Sequence, residues 1–180
     1  MTTDSNSELQ RARALHDKIP LIDGHNDLPW QYRKVADRAL SKIDIAQNQP
    51  GLHTDIPRLR EGGVGGQFWS VFVSQALPQA DHVRATMEQI DVVYNMLHQY
   101  PDTFQLSLTA DDVEAAFDSG KIGSLIGIEG GHSIDNSLAA LRMFFRLGAR
   151  YMTLTHFANV DWADSCTDEP AVGGLSEFGH

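Results

Sequence analysis

The run Asp23-Gly24-His25-Asn26-Asp27 sets an imidazole and a carboxylate two residues apart. In a strand, both side chains would project from one face. A ring nitrogen and a carboxylate oxygen held at a strand end suit Zn²⁺ or another divalent ion of borderline softness. The same residues also suit a turn in which Asp and Asn satisfy local backbone groups. Glu129 follows the apolar run Ile122 to Ile128 and precedes Gly130 and Gly131. A desolvated carboxylate there calls for a cation, and its two oxygens can bridge a pair of metals. An exposed Glu in a tight turn is the competing reading. His156 closes Thr153-Leu154-Thr155-His156. It suits a ligand, a general acid or base, a donor to a developing oxyanion, or a buried ring satisfied by backbone.

The remaining histidines carry less. His132 is expected to support other groups from behind. His53, His82, His98 and His180 are expected on the surface or in loops, with His82 and His98 off the main stripe of a long helix. Cys166 stands among Asp164, Asp168 and Glu169, a setting unsuited to a thiolate nucleophile.

Rigid elements must bring these groups together. Ser7 to Lys18 reads as a helix closed by Pro20. Leu21 to Asp27 reads as a strand, followed by a weak helical stretch around Gln31 to Leu40. Thr54 is expected to cap a short helix to Arg60, with Pro57 in its first turn. Gln67 to Val73 is aromatic and β-branched, a strand. Asp81 to Tyr100 is the clearest helix, its expected stripe being Val83, Met87, Ile90, Tyr94 and Leu97. Phe104 to Leu108 reads as a short strand. Thr109 and Asp112 are spaced as a capping box for a helix to Ser119. Ile122 to Ile128 reads as a strand buried on both faces. Asn136 to Leu147 is helical, Arg150 to His156 a strand, and Phe157 to Leu175 a loop. Alternation of this kind predicts an α/β fold with a mainly parallel sheet. It also gathers His25, Asp27, Glu129 and His156 at one end of that sheet, where such folds bind ligands.

Composition narrows the function. The chain has 180 residues, 42% hydrophobic and 21% charged, with a net charge of -10. That balance argues against nucleic acid as a partner, since phosphate binding draws on Lys and Arg. No apolar run is long enough for a membrane span, and no signal peptide is visible. With a single cysteine, the reading is a soluble, cytoplasmic chain. A Walker loop, a dinucleotide fingerprint and a Gly-x-Ser-x-Gly elbow are all missing from the sequence.

Four blocks sharpen the picture: IDGHNDLPW (Ile22 to Trp30), GGQFWSVFV (Gly65 to Val73), LIGIEGGHSID (Leu125 to Asp135) and RYMTLTHFANVDWAD (Arg150 to Asp164). In this order they resemble the membrane dipeptidase (renal dipeptidase) family of zinc enzymes, from about Pro20 onward. The resemblance implies a (β/α)8 metal-dependent hydrolase barrel with two zinc ions that hydrolyses dipeptides. It implies that His25 and Asp27 bind one zinc, that Glu129 bridges both, and that His156 contacts the substrate. A hydroxide between the metals would be the nucleophile, and a homodimer is the implied assembly. The family's other two zinc histidines, a proton-shuttling aspartate and a carboxylate-binding arginine belong to later strands.

A complete barrel takes about 250 residues. The expectation is therefore an N-terminal helical segment over 1–20 and about the first half of a barrel over 21–180. Three functional outcomes stay open: a zinc dipeptidase, a truncated or degenerate non-catalytic relative that binds at most one metal, and a metal-dependent hydrolase of another amide or lactam.

Overall fold

The structure, a computed structural model, describes the backbone of residues 2–180 and the side chains from residue 7 onward. Helix α1 (Thr2–His16) precedes β1 (Leu21–Asn26). Then follow α2 (Leu28–Ala36), α3 (Ile56–Glu61), β2 (Val64–Phe72), α4 (His82–Gln99) and β3 (Phe104–Leu106). The chain continues through α5 (Ala110–Asp118), β4 (Ile122–Glu129), α6 (Leu138–Arg146) and β5 (Ala149–Met152). The expected alternation is present, and every strand pairing is parallel.

The sheet runs β1-β2-β4, and both β3 and β5 join β4. β2 lines β4 from Gly123 to Glu129, so one edge of β4 is filled. The other edge is shared: β3 covers Ile122 to Ser124 and β5 covers Ile126 to Ile128. β4 is thus enclosed on both edges, and its residues 122–128 are buried. That matches its nearly continuous apolar sequence, broken only by Ser124, whose hydroxyl donates to the Ile122 carbonyl, since a strand covered on both faces has no polar side to show.

Helices cover one face. Tyr32 of α2, Val93 and Met96 of α4, and Trp69, Ile126 and Ile128 of the sheet belong to one buried cluster. The buried stripe of α4 is rotated from the expected one. Met87 is 51% exposed, whereas Ala85, Thr86, Gln89, Val92 and Met96 join Ile90 and Leu97 inside. Of the polar members, the Thr86 hydroxyl and the Gln89 carbonyl oxygen find partners, whereas Gln89 Nε2 is buried without one. Thr86 Oγ1 donates to the His82 carbonyl at 2.8 Å, and Gln89 Oε1 accepts from Arg33 at 3.4 Å.

The capping box of α5 forms as expected: the Thr109 side chain accepts from Asp112 N, and the Asp112 carboxylate accepts from Thr109 N. At α3 the cap is Asp55 and not Thr54. A carboxylate serves better there because it also holds Arg58. Asp55 Oδ1 accepts from Arg58 N at 2.9 Å, and Oδ2 accepts from Gln49 N at 2.8 Å and Arg58 Nε at 2.9 Å. Arg58 in turn donates to the Gln49 and Leu52 carbonyls. Side-chain bonds to the Asp55 carboxylate, that from Arg58 foremost, lower its pKa to about 2. This ion pair fixes the loop that leads into α3.

Candidate metal centre

β1 ends at Asn26, so Asp27 lies beyond the strand, at the mouth of α2. The pairing of β1 with β2 is irregular between Asp23 and Asn26. His25 and Asp27 are therefore not alternate residues of a regular strand, yet their side chains meet. The two readings of this run coexist in different residues. Asp23 Oδ1 accepts from His25 N at 3.2 Å, and Asn26 Oδ1 accepts from Leu28 N at 3.0 Å. Those two side chains make the turn, and His25 and Asp27 are left to converge.

His25 Nε2 lies 3.4 Å from Asp27 Oδ1 and 3.5 Å from Glu129 Oε2. One donor atom from each of these three residues falls within 4.8 Å of the others. The other Glu129 oxygen, Oε1, is 3.3 Å from His156 Nε2. Glu129 thus stands between the two imidazoles, one on each oxygen. The set of one ring nitrogen and two carboxylates fits a divalent cation of borderline character. Two carboxylates brought this close, with no Lys or Arg among the three, are also the arrangement a cation relieves.

Glu129 is the last residue of β4, and its side chain is 17% exposed. Ser70, wholly buried on β2, donates to Glu129 Oε2 at 3.0 Å. Behind it the chain turns through Gly130 at φ 107°, in the left-handed region, where a Cβ would strike the His132 ring. Gly130 N donates to Thr153 Oγ1 at 2.7 Å, tying this turn to the end of β5.

His156 falls in the segment after β5, which is shorter than the expected strand. Aromatic rings hold it instead of a strand ladder. Its ring centroid is 5.1 Å from Phe72 and 4.1 Å from Phe157, and Phe72 meets Trp30 edge-on at 4.9 Å.

His132 supports the site from behind. Its Nε2 donates to the Val73 carbonyl at 2.8 Å, joining the ends of β2 and β4. Burial, together with neighbouring His82 and His156, lowers its pKa against the pull of the Val73 bond. His82 is not a surface residue: it is 6% exposed, and its ring packs against His132 at 5.1 Å. The α4 start turns inward here, which helical periodicity alone does not show. His98 and His180 are exposed, as expected. His53 is exposed too, but with Gln31, Leu52 and Thr54 it lines an open pocket of about 510 Å³ that includes His25 and Asp27.

Ser70 and Tyr151 are the neighbours the sequence reading missed. Tyr151 donates to the Gly24 carbonyl at 3.0 Å and sits 3.5 Å from His25 Nδ1. Burial first, then the carboxylates of Glu129, Asp23 and Asp27, push its phenol pKa up. The hydroxyl therefore keeps its proton.

A parallel α/β sheet with histidine and carboxylate donors converging past its strand ends is the architecture of barrel-type metal-dependent hydrolases. The chain belongs to the membrane dipeptidase family, peptidase family M19, which it matches over residues 9–180. It is 43% identical over 189 residues to Dipeptidase ataJ of Aspergillus terreus, covering 99% of this chain and 46% of that protein. It is 40% identical over 175 residues to Dipeptidase 3 of Mus musculus, covering 94% of this chain and 34% of that protein. The chain thus spans less than half the length of these curated relatives.

Among solved structures, the probable dipeptidase PvdM from Pseudomonas aeruginosa superposes with a TM-score of 0.82 at 20% identity, over 97% of this chain and 46% of that one. A Rhodobacter sphaeroides metallo peptidase, liganded with a phosphinate mimic of the dipeptide L-Ala-D-Ala, gives 0.72 at 21% identity, over 89% and 54%. The fold is therefore that of the first part of this barrel-like family. Among the described residues, no helix is long and apolar enough to cross a membrane.

Proposed function

We propose that the polypeptide containing this chain is a zinc-dependent dipeptidase. The observation that carries this reading is the convergence of His25, Asp27 and Glu129 within 4.8 Å, in a chain of the membrane dipeptidase family. The names of the curated relatives support a dipeptide as substrate. In this reading His25, Asp27 and Glu129 would hold a zinc ion, and Glu129 would be shared with a second. Bound zinc would supply acidification of water and polarisation of a carbonyl oxygen.

The chain's own residues do the positioning. Ser70 holds one oxygen of Glu129, which keeps the carboxylate plane fixed. His156, between Phe72 and Phe157, presents Nε2 on the far side of Glu129. There it donates to the substrate carbonyl oxygen as negative charge grows on it. The pocket beside His25 and Asp27 gives a substrate residue room next to the donors. A cytoplasmic location, consistent with a lone exposed Cys166, and a homodimeric assembly belong to the same proposal.

The test is release of free amino acids from a panel of dipeptides by the purified polypeptide, stripped with chelator and then resupplied with zinc. Hydrolysis that returns with zinc is the expected result; a panel left intact with zinc present overturns the reading. Elemental analysis adds a second arm. His25→Ala and Asp27→Ala should each lower zinc content, and Glu129→Ala should lower it more. Equal zinc in parent and variants overturns the ligand assignment.

A further inference from the structure

His25 turns Nε2 toward Asp27 and Glu129, at 3.4 and 3.5 Å. A neutral imidazole that offers Nε2 to a cation carries its proton on Nδ1. That N–H needs an acceptor, and the acceptor sets the ring's orientation. The side-chain group at hydrogen-bond distance from Nδ1 is Tyr151 Oη, at 3.5 Å. The phenol donates its own proton to the Gly24 carbonyl at 3.0 Å. Its oxygen lone pairs are then free for the imidazole.

We propose that Tyr151 is the positioning residue of His25: its hydroxyl, anchored on Gly24, accepts from Nδ1–H and keeps Nε2 turned toward the carboxylates. This inference rests on the metal-centre reading above.

The surroundings are shaped for that reach. Tyr151 belongs to β5 and His25 to β1, strands that do not pair. To join them the tyrosine must pass over β4 and β2. On β4, Gly127 clears the way, because a Cβ there would fall within the Tyr151 ring. On β2, Phe68 supports the ring at 5.1 Å between centroids. The hydroxyl thus arrives beside the backbone of the ligand-bearing run and fixes Gly24 and His25 together. At 3.5 Å the imidazole contact is at the long limit of hydrogen bonding. Its worth must show in metal affinity more than in folding.

Zinc alone is the probe, titrated into the chelator-stripped polypeptide against a chromophoric competitor. Tyr151→Phe keeps the ring over Gly127 and loses only the hydroxyl. The zinc dissociation constant should rise about 10-fold, the scale of outer-shell partners of metal-bound histidine. In a His25→Ala background the same substitution should cause no further loss. Nitrogen NMR of the zinc-loaded parent should show His25 bound through Nε2 with its proton on Nδ1.

Unchanged affinity in Tyr151→Phe overturns the inference, as does an equal loss with His25 already replaced. A proton found on Nε2 in the loaded parent overturns it even where the variant does not fold. A parent that takes up no zinc overturns the metal-centre reading and this inference with it. A parent that binds zinc, with Tyr151→Phe binding equally well, overturns this inference alone.

Discussion

The Ser70 hydroxyl donates to Glu129 Oε2 at 3.0 Å from a fully buried position on the neighbouring strand. The bond is charge-assisted, and its acceptor is the residue to which both His25 and His156 are drawn. Ser70→Ala removes the donor and leaves the Oε2 orientation unset. It should weaken zinc binding about 10-fold and cost about 1.5 kcal/mol of stability. Chelator competition reads the first effect and denaturant titration the second.

Asp55 should be the acid-sensitive point of the fold. Its folded pKa of about 2 lies below the ordinary 3.8. A depressed carboxylate contributes stability that is fully present above its unfolded pKa and is lost as pH falls through the folded one. Stability should therefore decline as pH drops from about 4 toward about 2. Asp55→Ala removes the cap of α3 and the partner of the half-exposed Arg58, and should cost about 2 kcal/mol at neutral pH. Urea midpoints across that range check both statements, and the variant should show a flatter decline.

His132 should add a second pH response in a different range. Its pKa is lowered from the ordinary 6.5, chiefly by burial. The unfolded chain takes up the proton more readily, so stability is full above 6.5 and falls as pH drops below it. His132→Gln has no ring to charge and should lose this dependence. Thermal unfolding followed from pH 8 down to 5 would show it, and a parallel slope in both proteins would count against the assignment.

Helix α6 should drive association of the isolated chain. Leu138 and Phe145, seven residues apart on one helical face, are 48% and 60% exposed. Beyond Met152 the outer edge of β5 has no partner strand among the described residues. Exposed apolar faces next to open strand edges recruit other chains. Phe145→Glu should lower the apparent mass in light scattering at high concentration; an unchanged monomer for both proteins would refute this.

The strands and most helices were readable because their signals are local. β4 is a nearly continuous apolar run up to Glu129, Thr109 and Asp112 stand in capping-box spacing, and glycine or proline closes several elements. The meeting of His25, Asp27 and Glu129 was foreshadowed for the same reason, since His25 and Glu129 stand at the ends of strong strand patterns and Asp27 just past one.

What escaped was set by tertiary contact. Ser70 sits within an ordinary strand sequence and becomes informative only when β4 lies beside it. Tyr151 and His25 are 126 residues apart, and nothing in the chain between them announces the contact. The inward turn of His82 and the rotated face of α4 likewise depend on Arg33 and on packing. Asp55 displaced Thr54 as a cap because of an arginine three residues on, a choice that needs the loop around Gln49 to be in place.

The rings around His156 give the molecule an optical reporter. Trp69 and Trp162 are buried, at 0% and 5% exposure, whereas Trp30 is partly open and abuts Phe72, which abuts His156. Indole emission from Trp30 is thus placed to register rearrangement of His156 through a single intervening ring. With Trp69 and Trp162 shielded, the part of the signal that a water-borne quencher can reach belongs to the rim of the site. Occupation of that rim can be followed by light, with no dye attached.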